Sequence, residues 1–323
     1  MQPVSRFTLF QAPTGDRPLA ALGLLLCGII VLALQDSLVK LIAPQTSFWQ
    51  FQALRSVGNL SFIIALALAA GGLRLIIPDN WRPVYFRAVM LAICMFFFFS
   101  GAPVLSVAQM AAGLYTYPLF VSLLAGPVLG ETVGPWRLCA LVIGAGGGFL
   151  MLDPLSETFT AAQILPIVAG FFYACNILIL RRHCRHENPL ALTAAVAALF
   201  IITGSSGSLL LTLFPLPTDI AQAIPFVAIG WPELTGSILL IAVFCSVLNL
   251  SGNICLSRAY QTADSSWLAP LDFLYLLFAA FWGQILFDHW PDQKMVIGML
   301  LIAGAGMLTA WREQRKKIQT LIV

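Results

Sequence analysis

Ten long apolar stretches dictate what this chain can become. A helix needs about 20 mostly apolar residues to cross the hydrocarbon layer of a bilayer. Runs of that kind lie near 19–41, 47–70, 84–102, 106–129, 136–152, 162–180, 190–214, 235–257, 265–287 and 293–311. Of the 323 residues, 59% are hydrophobic and 10% charged, where a soluble domain carries about a quarter charged. Surface-to-volume scaling leaves a soluble fold of this length no way to hide that much apolar surface. The first 17 residues are polar and hold Arg6 and Arg17. The run after them is too long for a signal-peptide core and has no clear small-residue cleavage site, so it is expected to stay as the first span. Pro103 and Pro291 mark the two tightest turns, because proline lacks the donor that a continuing helix uses.

Basic residues orient these spans. Lys and Arg are enriched in cytoplasmic loops of membrane proteins. With the N-terminus inside, Arg6, Arg17, Arg74, Arg82, Arg87, Arg137, Arg181, Arg182, Arg185, Arg258, Arg312, Arg315, Lys316 and Lys317 all fall on the cytoplasmic side. Only Lys40, Arg55 and Lys294 of the 17 basic residues do not. The opposite loops carry Asp153, Glu157, Asp219, Glu233 and Asp292. Changing the span count by one would scramble this alternation, so both termini are expected in the cytoplasm. The longer outer stretch from Asp219 to Trp231 lacks a basic face and is expected to be a solvated connector rather than an interfacial helix. The seven cysteines form no C-x-x-C pair, and most lie in apolar runs; they are expected to act as small packing residues.

The two halves of the chain resemble each other. Glu131-Thr-Val-Gly-Pro135 precedes a span with Gly144, Gly146, Gly147 and Gly148, and Asp288-His-Trp-Pro291 precedes one with Gly298, Gly304 and Gly306. Pro118 and Pro270 break the chain upstream of each, and Ala33-Leu-Gln-Asp36 matches Tyr173-Ala-Cys-Asn176. Each half holds five spans, an odd number, so the second copy is expected to insert upside down. Inverted repeats of this kind give transporters two related conformations with a site between the halves. Gly144 and Gly148, spaced by four, are expected to let helices approach closely in lipid.

These features resemble the drug/metabolite transporter superfamily, in particular its EamA-type branch. The matching pieces are Gln35-Asp36-x-x-x-Lys40, Phe51-Gln-Ala-Leu-Arg55, the Ala108-to-Glu131 segment with Pro118 and a terminal Gly130-Glu131, and Ala269-Pro270-Leu271-Asp272. Phe287-Asp288-x-x-Pro291 resembles the family's Phe-Gly-Glu-x-x-Pro, with Asp in place of Glu. The resemblance covers 19–311. It implies a cytoplasmic N-tail (1–18), two EamA-like five-helix repeats (19–152 and 162–311) and a basic cytoplasmic C-tail (312–323). It also implies a bacterial inner-membrane carrier working by alternating access without a nucleotide-driven motor. Members of the family carry amino acids, amines, riboflavin, S-adenosylmethionine, metallophores or drugs.

Polar groups at membrane depth are costly, so each asks for a partner or a purpose. Asp36, Lys40 and Arg55, with Gln35 and Asn59, suit either a buried charge network or an outer gate. Asn176, Asn249, Asn253 and Asp272 form a second, inner set that suits interhelical hydrogen bonds or cargo binding. Tyr115, Tyr117, Tyr173, Trp267 and Tyr275 offer apolar bodies with polar tips, fit for a cavity wall or an interfacial belt. Phe96–Phe99 faces every direction around its helix and is expected to pack or touch lipid. The chain has no Walker motif, and its three histidines lie in loops; no cofactor, metal, nucleic acid or enzymatic chemistry is expected. The expected function is transport, with export the expected direction, of a polar or zwitterionic amino-acid-like metabolite or metallophore, with protons or a counter-substrate as coupling partner. Import of riboflavin or an S-adenosylmethionine-like compound is the alternative, and a non-transporting receptor or scaffold is the rival class.

Overall fold

A computed structural model describes residues 18–129, 135–153, 155, 159–184, 186–262 and 268–322. Among them every regular element is a helix. That is what lipid demands, since a spanning segment must satisfy its own backbone polar groups. Trp267, Gly130, Glu131 and the N-terminal tail fall outside the described residues.

The first half begins with α1 (Pro18–Ile42), α2 (Phe48–Ala70) and α3 (Trp81–Ser100), and ends with α4 (Val107–Leu114), α5 (Tyr117–Leu129) and α6 (Pro135–Leu152). The second half has α7 (Leu165–His183), α8 (Pro189–Leu213), the short α9 (Thr218–Ala223) and α10 (Pro225–Ala228), α11 (Gly236–Thr262), α12 (Leu274–Phe287) and α13 (Gln293–Ile322). Seven helical stretches are long and apolar enough to cross a membrane: 19–42, 48–70, 81–100, 107–124, 161–183, 189–213 and 236–259. Three more apolar helical stretches, 139–152, 271–287 and 293–308, are shorter. Large apolar side chains such as Leu240, Leu300 and Val142 are exposed on the outside, as a lipid-facing surface allows.

Two helices are interrupted where proline predicts. The fourth span splits between Leu114 and Tyr117, with Pro118 in the first turn of α5, where its missing N–H costs nothing. Thr116 closes the break by donating its hydroxyl to the Gly113 carbonyl at 2.7 Å. The helix α12 is preceded by a 3₁₀ turn over Ala269–Phe273 that contains Pro270.

Long packing runs join α1 to α11, α6 to α13, α3 to α7 and α2 to α8. At two of these crossings glycine lets backbone meet backbone. A Cβ on Gly147 would lie 2.8 Å from the Gly298 carbonyl, and one on Gly28 would lie 3.0 Å from the Gly252 carbonyl. Of the Gly144–Gly148 pair expected to mediate close approach, Gly144 does so against Leu119, whose Cδ1 a Cβ there would meet at 2.5 Å, but neither makes the α6–α13 crossing. A Cβ on Gly148 would meet nothing within 4 Å, and Gly147 sits on the face turned to α13.

The 219–231 stretch also differs from the solvated connector expected. Phe226 and Ala228 are buried. The Gly230 carbonyl accepts from Ser47 at 2.6 Å, and the Pro232 carbonyl accepts from Gln50 at 2.8 Å. Polar residues at the start of α2 thus tie the segment down, a coupling its own sequence does not show. Asp288, the family departure, caps α12 in the left-handed region at φ 50°, which Asp tolerates better than most residues.

Candidate functional site

A cavity of about 320 Å³ lies among the helices, lined from α1, α2, α3, α7, α8 and α11, from the break between α4 and α5, and from the 3₁₀ turn and first turn of α12. That volume is at the low end of the ~300–1,000 Å³ range of small-molecule sites.

A hydrogen-bonded chain runs across it. Asn59 on α2 donates to Asn249 on α11 at 3.5 Å, and Asn249 donates to Gln35 on α1 at 2.8 Å. Gln35 donates to Asp36 at 2.8 Å, and the Tyr275 hydroxyl on α12 donates to the other carboxylate oxygen of Asp36. Four helices are pinned by five side chains. Asn249 of the inner polar set is thereby joined to Gln35, Asp36 and Asn59 of the outer one, and Tyr275 is joined to them from α12. Asn253, one turn on, donates to the Asn249 carbonyl at 2.7 Å.

A cluster of tyrosines joins this chain at Tyr275. Tyr115 stacks on Tyr275 with ring centroids 5.1 Å apart and planes 14° apart. Tyr117 meets Tyr115 at 5.8 Å and Tyr173 at 4.9 Å, both edge-on. The break between α4 and α5 turns Tyr115 and Tyr117 inward. Gly170 on α7 permits the approach that brings Tyr173 in: a Cβ there would sit 2.9 Å from the Leu114 carbonyl.

Arg55 and Asp36 attract each other electrostatically but form no ion pair. The Arg55 guanidinium instead lies over Phe51 and Phe99, 5.7 and 5.9 Å from their ring centres. Lys40 turns away from Asp36. Its ammonium donates to the Ala102 and Leu105 carbonyls at 2.8 and 2.6 Å, which are orphan acceptors beyond the end of α3. It lines a second cavity of about 450 Å³ with Gln109, Phe287 and Trp290.

Of the residues singled out in the sequence, Gln35, Asp36, Arg55, Asn59, Tyr115, Tyr117, Tyr173, Asn176, Asn249, Asn253, Asp272 and Tyr275 all line the main cavity. Sequence reasoning missed Ser56 and counted Arg87 only among the orienting basic residues. Arg87 belongs to α3, and it lines the cavity with Leu91, Met95, Thr193 and Phe200. Its place six residues beyond Trp81, a typical helix-start residue at a membrane interface, was the available signal. Phe98 and Phe99 are each 1% exposed, so the phenylalanine run is core packing there.

The chain is thus a multi-pass helical membrane protein with a polar, aromatic-walled cavity between its helices. No family model matches it. It is 28% identical over 281 residues to a riboflavin transporter of Rhizobium johnstonii, covering 86% of this chain and 85% of that protein. It is 24% identical over 232 residues to an S-adenosylmethionine uptake transporter of Rickettsia prowazekii, covering 71% of each. A solved crystal structure, 18% identical, superposes with a TM-score of 0.56 over 89% of this chain and 97% of that one, which is a likeness of fold.

Proposed function

We propose that this protein is a secondary transporter of the EamA type within the drug/metabolite transporter superfamily, and that it carries a small metabolite with a planar ring across the bacterial inner membrane. The observation that carries this reading is the cavity itself: carboxylates, amides, arginines and four tyrosines gathered among lipid-facing helices. Such groups are costly at membrane depth without a purpose. Two arginines and two carboxylates line the cavity, a balance that suits a neutral or zwitterionic cargo. Stacked tyrosines suit a flat ring better than an aliphatic amino acid. Relatives that are named for riboflavin and S-adenosylmethionine transport support a ring-bearing cargo, so we favour a flavin over the amino-acid-like export cargo expected from the sequence.

The proposed architecture is ten spans in two inverted repeats, 19–152 and 162–311, flanked by cytoplasmic tails. What supports it is the pattern of helix pairs. Exchanging α1, α2, α3 and α6 with α7, α8, α11 and α13 turns the α1–α11 pair into the α7–α3 pair, and leaves the α2–α8 and α6–α13 pairs as themselves. That is the behaviour of a two-fold relation between halves. Thr193 and Arg87, near the starts of α8 and α3, lie at the end of the cavity on the side that the basic residues mark as cytoplasmic. Beyond Asp36 on the other side, Lys40 ties α1 to the 102–105 turn. This is the arrangement of a carrier open to the cytoplasm and closed outward.

Counterflow tests the reading without knowledge of direction or coupling. Proteoliposomes loaded with unlabelled riboflavin should accumulate labelled riboflavin well above protein-free vesicles. Absence of exchange with both riboflavin and S-adenosylmethionine would overturn the ring-bearing cargo, and absence of exchange with every solute tried would favour the scaffold reading.

A further inference from the structure

Five polar atoms, all on residues that line the main cavity, are buried without a hydrogen-bond partner among the described residues: Arg55 Nε, Ser56 Oγ, Asn59 Oδ1, Arg87 Nε and Asn176 Oδ1. Buried polar groups are nearly always paired, and an orphan loses the full desolvation cost of the group. Three of the five sit together on α2, and Arg55 and Asn59 share one helix face at i, i+4. Their side chains are only 4% and 9% exposed. Arg55 has its guanidinium clamped over Phe51 and Phe99, and the Arg55 backbone carbonyl accepts from Ser246 at 2.8 Å. Asn59 spends its amide nitrogen on Asn249, which leaves its oxygen as an open acceptor. The α2 face therefore holds one unpaired donor and one unpaired acceptor, on residues that line a cavity shared with four tyrosines.

We propose that Arg55 and Asn59 read the imide edge of a flavin ring, with Arg55 donating to a ring carbonyl and Asn59 Oδ1 accepting from the adjacent ring N–H, while the ring face lies against the Tyr115–Tyr275 pair. This assignment rests on the substrate reading above. An imide places a carbonyl next to an N–H, the complement of the two open groups. The flavin's sugar-alcohol chain makes no demand on α2 and is left for the asparagines of α7 and α11. A site that hydrogen-bonds a specific ring N–H rejects an analogue lacking it far more strongly than an apolar pocket rejects an added methyl.

The test is a fluorescence titration of the full chain in nanodiscs with riboflavin and with 3-methylriboflavin, in which the imide N–H is replaced by N–CH₃. The wild type should bind riboflavin at least roughly tenfold tighter than the methylated analogue. Asn59→Ala removes the acceptor and makes room for the methyl, so the discrimination should vanish. Arg55→Lys keeps the charge but loses the fixed fork, and should weaken both ligands by roughly tenfold or more while the discrimination stays. Equal wild-type affinity for the two ligands overturns the assignment and leaves the flavin reading standing. Persistence of the discrimination in Asn59→Ala, in protein that stays monodisperse, overturns it as well. Absence of riboflavin binding, or tighter binding of S-adenosylmethionine, overturns the substrate reading and this assignment with it. The wild-type comparison needs no variant to fold.

Discussion

Asp36 is held from both sides, by the Tyr275 hydroxyl and by the Gln35 amide. Charge-assisted hydrogen bonds of this kind contribute about 1.5–3 kcal/mol each. Tyr275→Phe deletes one while keeping the ring that stacks on Tyr115. It should lower the initial transport rate about tenfold and leave the thermal midpoint within a few degrees; an unchanged rate in a flux assay would remove the pair from the mechanism. Asp36→Asn should be more severe, because the carboxylate is also the charge that Arg55 faces. These residues were legible in the sequence for one reason: a carboxylate or amide inside an apolar run is expensive and stands out. Ser56 was not, because a serine in an apolar run costs little and does not stand out from its neighbours. Arg87 was hidden differently, since an arginine close to a helix start looks like one of the loop arginines that orient the protein. Lys40 was placed correctly as membrane-embedded, but its partners are backbone carbonyls 62 and 65 residues away, which no side-chain pattern records.

Among the elements, the two broken helices bring Tyr115, Tyr117, Asp272 and Tyr275 to the cavity, and proline foretold both breaks. A continuous helix would carry Tyr115 and Tyr117 about 200° apart around its axis, and the break brings both to one wall. Glycine patterns were a weaker guide. Spacing by four marks a possible crossing, yet which glycine faces the partner depends on the rotation of the helix, and here Gly147 rather than Gly144 or Gly148 meets α13. Gly147→Leu should therefore destabilise by about 1–3 kcal/mol, the usual cost of overpacking, and be visible as a lower melting temperature in detergent. Gly148→Leu should be nearly neutral, since a Cβ there has open space. Equal effects of the two substitutions would mean that the α6–α13 crossing is misplaced. The 219–231 segment was misread for a related reason. Its anchors, Ser47 and Gln50, lie some 180 residues away, so the segment looks solvated when taken by itself.

At the scale of the whole molecule, the account requires the two cavities to lie at opposite faces and to open in turn. The order of spans and the marked basic side come from length, hydropathy and charge, which are local or cumulative properties and so survive reading from sequence. Which cavity is open does not, because inverted halves read alike in either state. The most direct test places single reporters at the two mouths in a cysteine-free background: Thr193→Cys beside the main cavity and Val104→Cys beside the second. Labelling with a membrane-impermeant maleimide is then measured from each side of sealed vesicles, with and without riboflavin. The account predicts that Thr193→Cys reacts from the cytoplasmic side and Val104→Cys from the other, and that riboflavin moves their rates in opposite directions. Both positions reacting from one side, or both rates shifting together, would contradict it.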